Sequence, residues 1–200
     1  LKRSELKIPV DNPFDPRRTA LGRELFFESR LSKTGKISCA SCHQPQFSFA
    51  DSSQKETSVG ITNTPLQRNT PTIINRAFSS VQFFDDRALS LEEQVIHPLT
   101  KENEMGLTES SILAVLNAQY SKQFSDVFQS PPSIANLKLA LASFQRTLFS
   151  GDSKADRFEA GEKTALNEIE QLGRSLFYGK ARCFGCHAGS NFTDESFHNL

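Results

Sequence analysis

Cys39-Ala40-Ser41-Cys42-His43 and Cys183-Phe184-Gly185-Cys186-His187 together use all four cysteines of this 200-residue chain. C-x-x-C-H is the attachment signal of a c-type haem: the two thiols bond the porphyrin vinyl groups, and the adjacent His is placed to ligate the iron. One haem is therefore expected on Cys39, Cys42 and His43 and a second on Cys183, Cys186 and His187, with His43 and His187 as iron ligands. A thioredoxin-like C-x-x-C needs no following His and sits near a βαβ pattern, which this sequence lacks. A single four-cysteine zinc site would leave both His residues incidental, as would a disulfide within each pair. Covalent haem also points to an oxidising compartment outside the cytoplasmic membrane, the periplasm.

The sequence around the two frames repeats. Leu21-Gly22-Arg23-Glu24-Leu25-Phe26-Phe27 precedes the first and Leu172-Gly173-Arg174-Ser175-Leu176-Phe177-Tyr178 the second, while Phe49-Ala50-Asp51 downstream has a counterpart in Phe192-Thr193-Asp194. A shared helix-then-haem order argues for a duplicated cytochrome unit. The expected organisation is an N-terminal haem domain over residues 1–155 and the start of a second over 156–200, with a linker near Gly151–Gly161.

Composition agrees with this reading. Lys plus Arg and Asp plus Glu both number 23, so no net field draws in nucleic acid. The longest apolar run, Ile112 to Leu116, is far short of the roughly 18 residues of a membrane span. The chain opens at Leu1, as after removal of an export signal or trimming. A hydrophobic fraction of 37% with 17 Phe, two Tyr and no Trp is modest for a self-sufficient core, which leaves a place for a filler other than side chains.

Helical periodicity dominates. Ser133 reads as the N-cap of a helix to about Phe149 with Ile134, Leu137, Leu141, Phe144 and Leu148 on one face, and Thr108 opens another through Ile112, Val115, Leu116 and Gln119. Segment 90–97 reads as a short helix stopped by Pro98, and 44–75 as a long functional loop. The fold class expected is mostly α: two c-type cytochrome-like haem domains with long loops.

With these landmarks in order, the sequence resembles the bacterial di-haem cytochrome c peroxidases and their MauG-type relatives over about residues 17–200. The resemblance rests on both haem frames and, between them, Arg68-Asn69-Thr70-Pro71-Thr72, Phe84-Asp85-Asp86-Arg87-Ala88, Leu91-Glu92-Glu93-Gln94, Pro98-Leu99, Glu104-Met105-Gly106 and Phe144-Gln145-Arg146-Thr147-Leu148. It implies reduction of hydrogen peroxide to water at the His43 haem, with electrons entering through the His187 haem from a small cytochrome c or cupredoxin, and it allows a homodimer. Such chemistry needs a distal group that moves a proton between the two peroxide oxygens. By resemblance Glu104 is that catalytic acid–base, Gln94 and Pro98 line the same pocket, and Asn69 contributes a calcium ligand. Arg87 is placed to pair with a haem propionate or with Asp85.

Three features depart from the family pattern. Phe84 stands where relatives carry a Trp between the haems, which weakens the alternative of a MauG-like enzyme that oxidatively modifies a partner protein. No His lies between Gln44 and His97, so the cap that closes the first iron in reductively activated members is missing, and His97 itself reads as a helix-end imidazole. Only 13 residues follow His187 and the single Met, Met105, belongs to the first domain, so the second iron's other ligand is unassigned; Tyr178 reads as a packed helix aromatic and His198 as a loop residue. A non-enzymatic di-haem electron carrier is the third reading, and it would have no use for Glu104.

Overall fold

The structure, a computed structural model, describes residues 2–51 and 57–199. Among these it is helical: α1 (Pro16–Phe26), α2 (Cys39–Cys42), α3 (Leu91–Gln94), α4 (Ile96–Thr100), α5 (Glu109–Phe128), α6 (Ile134–Gln145), α7 (Lys154–Glu159) and α8 (Glu168–Tyr178). Its only β pairing there is three isolated bridges, Gln44 with Ala50, Val59 with Pro65 and Gln82 with Ala88.

The core forms where α1 crosses α6. Asp15 caps α1 by accepting the Arg17 N–H at 2.8 Å, and Pro16 fills the first position, where a missing N–H costs nothing. Leu21, Gly22, Leu25 and Phe26 recur at 3–4 spacing and are buried. Gly22 lets the two backbones touch: a Cβ there would lie 1.9 Å from the Ala140 carbonyl oxygen, so any side chain would push the helices apart.

The expected caps of α5 and α6 are present, Thr108 Oγ1 accepting from Ser111 N–H at 3.2 Å and Ser133 Oγ from Asn136 N–H at 3.1 Å. On α5 the buried stripe is Ile112, Leu116, Tyr120 and Phe124, a strict four-residue repeat that leaves Gln119 on the surface, where Arg30 holds it. α6 ends at Gln145, four residues before the expected Phe149, with Leu137, Leu141 and Phe144 buried and Ile134 and Leu148 packed at the core's edge.

Two expectations need correction. Pro98 does not stop the helix of 90–97: the break comes earlier, at Val95, and α4 runs through Pro98 to Thr100. Pro98 falls in the first turn of α4, where backbone N–H groups have no intrahelical acceptor, so its ring is tolerated. The 151–161 segment is no plain linker, since it contains α7, capped by Ser153 and Asp156. The loop after the first frame is irregular as expected, with residues 52–56 lying outside the described part.

A buried acid ties the turn after α1 to α5. Glu28 accepts the Tyr120 hydroxyl at 2.6 Å and Arg30 Nε at 2.8 Å. The Arg30 guanidinium, with help from Tyr120, holds the Glu28 carboxyl down at about 2, while burial and then the Glu28 charge push the Tyr120 phenol up to about 12. A depressed carboxyl contributes stability that is complete above its unfolded value of about 4.5 and is lost as pH falls from there through about 2. Urea midpoints should therefore drop between pH 7 and pH 3 more in the parent than in Glu28→Gln. Equal drops would show that Glu28 plays no part in acid sensitivity.

Candidate functional site

The first frame is shaped by a single helical turn. Ser38 N–H donates to Ser41 Oγ at 3.0 Å and opens α2, whose i, i+3 spacing puts Cys39 and Cys42 on one face. His43 follows at the helix end, with its Nδ1 3.1 Å from the Phe49 carbonyl oxygen. A carbonyl only accepts, so Nδ1 carries the proton and Nε2 is left as a lone-pair donor for iron.

The second frame repeats this arrangement on a 3-10 turn, Cys183–Gly185, where His187 Nδ1 lies 3.2 Å from the Phe192 carbonyl oxygen. The duplication extends to the rings. Phe26 sits 6.5 Å from His43 and 6.1 Å from Phe49, and Phe177 sits 6.4 Å from His187 and 5.9 Å from Phe192. Phe49 and Phe192 both adopt the left-handed region, at φ 56° and 53°, which turns each carbonyl toward its imidazole. The repeated Phe-x-Asp is thus the segment that fixes the proximal tautomer. The helices before the frames differ in cover, however: the counterparts of Leu21 and Leu25, Leu172 and Leu176, are exposed, and no atom lies within 4 Å of where a Gly173 Cβ would be.

The main core is open at its centre. A cavity of about 740 Å³, part of it open to solvent, is lined by core residues Phe26, Ile73, Val95, Met105 and Leu141 together with Cys39, Cys42 and His43. Because they face this cavity, the frame residues keep some accessible surface, yet they lie deep in the molecule. Burial pushes the Cys39 and Cys42 thiols up to about 12 and about 11 and holds His43 below its ordinary value. A neutral imidazole suits iron ligation. Among the described residues no three His, Cys, Asp or Glu side chains gather to hold a metal ion. A flat, largely apolar group with an iron at its centre fits this cavity: it would complete the core and meet both thiols and the free imidazole nitrogen.

Gln94 from α3, Pro98 from α4 and Glu104 from the following turn line the same cavity as His43. Glu104 ion-pairs with Lys101 at 3.2 Å and keeps 22% of its side chain accessible. Its turn is tied down on every side: Glu104 N–H to Lys101 O at 2.9 Å, Met105 N–H to Pro98 O at 3.1 Å, Lys33 N–H to Met105 O at 2.8 Å and Ile61 N–H to Glu104 O at 3.0 Å. Gln145, only 7% exposed, also lines the cavity and has no hydrogen-bonded side-chain partner among the described residues. Neither Gln145 nor Gly60, which lies against the Glu104 turn, was singled out as a site residue from sequence, although an amide on an apolar helix stripe was the signal for the first.

An adjoining, more polar cleft of about 1240 Å³, part of it open to solvent, is lined by Arg68, Asn69, Arg76, Arg87 and Lys101 among others. Arg87 is committed to Asp85 at 2.6 Å and stacks 3.5 Å from the Phe83 ring centroid; Arg68 meets the same carboxylate at 2.8 Å. Asn69 Oδ1 accepts the Thr70 N–H at 2.8 Å. His97 packs edge-on against Phe83 at 5.5 Å, His198 pairs with Asp194 at 2.9 Å, and Tyr178 stacks on Phe184 at 5.0 Å, so each has a packing role of its own. Phe84 is 57% exposed on the loop that precedes α3. That loop meets the second frame's segment, Ser79 Oγ donating to Glu195 at 3.0 Å.

Comparison with known proteins agrees with this geometry. The family profile described as di-haem cytochrome c peroxidase matches residues 16–164. The chain is 39% identical over 196 residues to the methylamine utilization protein MauG of Methylorubrum extorquens, covering 96% of this chain and 55% of that one. It is 37% identical over 183 residues to the cytochrome c551 peroxidase of Nitrosomonas europaea, covering 90% and 54%. A crystal structure of a MauG-like protein associated with microbial copper homeostasis superposes with a TM-score of 0.83 at 32% identity, over 96% of this chain and 59% of that one. The chain thus spans about half the length of the curated relatives it matches. With two matching proximal frames, an open core and a profile match over most of its length, the chain belongs to the di-haem cytochrome c peroxidase family.

Proposed function

We propose that this chain carries two covalent haems and reduces hydrogen peroxide to water in the cavity between His43 and Glu104, using electrons that enter through the second frame. The observation that carries this reading is the placement of a carboxyl, Glu104, in one largely apolar cavity with two thiols and the His43 imidazole, whose Nδ1 is held by the Phe49 carbonyl. An electron carrier has no use for such a group. When bound, the haem at His43 would supply the redox-active iron at which the peroxide O–O bond is broken.

The protein's own part is binding, orientation and proton movement. Cys39 and Cys42 would hold the haem covalently and His43 would ligate its iron, with the Phe49 carbonyl holding the His43 ring. Phe26, Val95, Met105 and Leu141 make the cavity wall largely apolar, which strengthens the action of any charge beside it. Glu104 takes the proton from one peroxide oxygen and returns it to the other, while Gln94 and Pro98 bound the space in which peroxide sits. Each turnover consumes one peroxide, two electrons and two protons and releases two waters. The electron donor is a small cytochrome c or cupredoxin, the location is the periplasm, and the domain break falls near residues 155–156. Asn69 Oδ1 has a second lone pair for calcium. A homodimer is the assembly to test by light scattering.

The similarity to MauG supports a second reading, oxidative modification of a partner protein. Phe84, much harder to oxidise than Trp, is what sets it behind the first.

Produced in a host with periplasmic haem-maturation machinery, the protein should show two covalent haems per chain by pyridine haemochrome and intact mass. It should also oxidise a reduced small cytochrome c in a peroxide-dependent way. One haem per chain, bound zinc, or no peroxide-dependent oxidation would each overturn the assignment.

A further inference from the structure

Glu104 sits on a turn whose backbone has no freedom left. The amide and carbonyl of both Glu104 and Met105 are hydrogen-bonded, and Gly106 closes the turn at φ +69° with its N–H on Lys101 O at 3.0 Å. Besides Lys33, the turn is held from outside by the loop around Gly60, which covers the Asn103–Glu104 peptide. A Cβ on Gly60 would lie 1.9 Å from the Asn103 carbonyl oxygen, 2.9 Å from its carbon and 3.0 Å from the Glu104 Cα. These are backbone atoms, so no rotamer change relieves the overlap. Gly60 does not adopt a left-handed φ, so the backbone there would accept other residues and glycine is needed only for space. The next residue completes the contact: Ile61 N–H holds the Glu104 carbonyl at 3.0 Å, and Ile61 Cδ1 lies where a Cβ on Gly106 would be, 2.5 Å away. The loop is itself anchored, since Ser58 is fully buried with its hydroxyl against that of Thr70, and Leu66 N–H donates to Ser58 O at 2.8 Å.

From this we infer that Gly60 is a positioning residue for the Glu104 carboxyl: the loop after the first haem frame acts as a fixed stop that sets how far the Asn103–Glu104 peptide sits from the cavity. The inference rests on Glu104 as the proton-moving group. A Cβ at 60 must displace that peptide by about an ångström, and misplacement on that scale costs on the order of 10²-fold in rate.

The test is a cycle in the holoprotein of parent, Gly60→Ala, Glu104→Gln and the double variant. Haem content, the ferric electron paramagnetic resonance spectrum and peptide-level hydrogen exchange over 57–66 are followed beside turnover. Gly60→Ala should keep both haems, lower kcat roughly tenfold to a hundredfold with little change in KM, and speed exchange of the peptide containing the Ile61 amide. In the Glu104→Gln background the same change should cost nothing more. An undiminished Gly60→Ala loss in that background would show that Gly60 acts on something other than Glu104 and would overturn the inference. Full activity of Gly60→Ala beside an impaired Glu104→Gln would overturn it alone, whereas full activity of Glu104→Gln would remove the role of Glu104 and this inference with it. Should Gly60→Ala fail to take up haem, Ile61→Ala decides, because it removes the Ile61 Cδ1 packing on Gly106 that seats the same loop on the same turn, without overpacking. An intermediate loss confined to the Glu104 background supports the stop, and parental activity refutes it.

Discussion

Glu104→Gln is expected to lower peroxide turnover by roughly 10²–10⁴-fold, the usual worth of a general acid–base group, while both haems and the fold remain. The substitution is nearly isosteric, and the turn that carries residue 104 is held by backbone hydrogen bonds that do not involve its side chain. The ion pair to Lys101 is lost, but it is partly exposed and contributes little to stability. Loss of rate with unchanged haem content and helical signal would place the defect in proton movement. Parental turnover would show that another group does this work, and negligible turnover in parent and variant alike would favour the electron carrier.

The second large effect concerns activation. The fully ferric protein should show a high-spin electron paramagnetic resonance signal and react with peroxide on mixing, with no prior reduction of the second haem. The sequence from Gln44 to Arg68 contains no His that could cap the His43 haem. The rival cap, His97, is held edge-on against Phe83 at 5.5 Å, and Phe83 is in turn held by Arg87 at 3.5 Å from its ring centroid. For His97 to cap the iron it would have to leave this stack. A wholly low-spin spectrum with no fast phase in stopped flow would refute the open site, and recovery of both in His97→Ala would identify His97 as the cap.

How far the structure was legible in the sequence depended on whether the signal was local. The haem frames, the caps at Thr108 and Ser133 and the stripe Leu137, Leu141 and Phe144 are local patterns, and each could be read residue by residue. The Phe49 and Phe192 repeat was visible as sequence, but its use was not, because the working atom is a backbone carbonyl that no residue type announces. Pro98 was misread because a proline marks a helix end only when an N–H is needed, and the break at Val95 had already removed that need. Gly60 against Asn103 and Glu28 against Tyr120 join segments 43 and 92 residues apart, and nothing near either residue in sequence points to its partner. The placement of Gln94, Pro98 and Glu104 came from resemblance, since an acid within Lys101-Glu102-Asn103-Glu104 reads by itself as a solvated charge.

The paired carbonyls of Phe49 and Phe192 bear on the driving force for electron transfer. Each holds its imidazole's Nδ1 proton on a peptide oxygen at nearly the same distance, 3.1 and 3.2 Å, so with haem bound each would make its Nε2 a stronger donor and shift the potential in the same direction. An offset applied equally to two redox centres cancels in their difference. On the proposed reading, a difference in potential between the two haems would then rest on other features, among them how deeply each frame is enclosed, His43 facing a cavity in the core and His187 lying exposed.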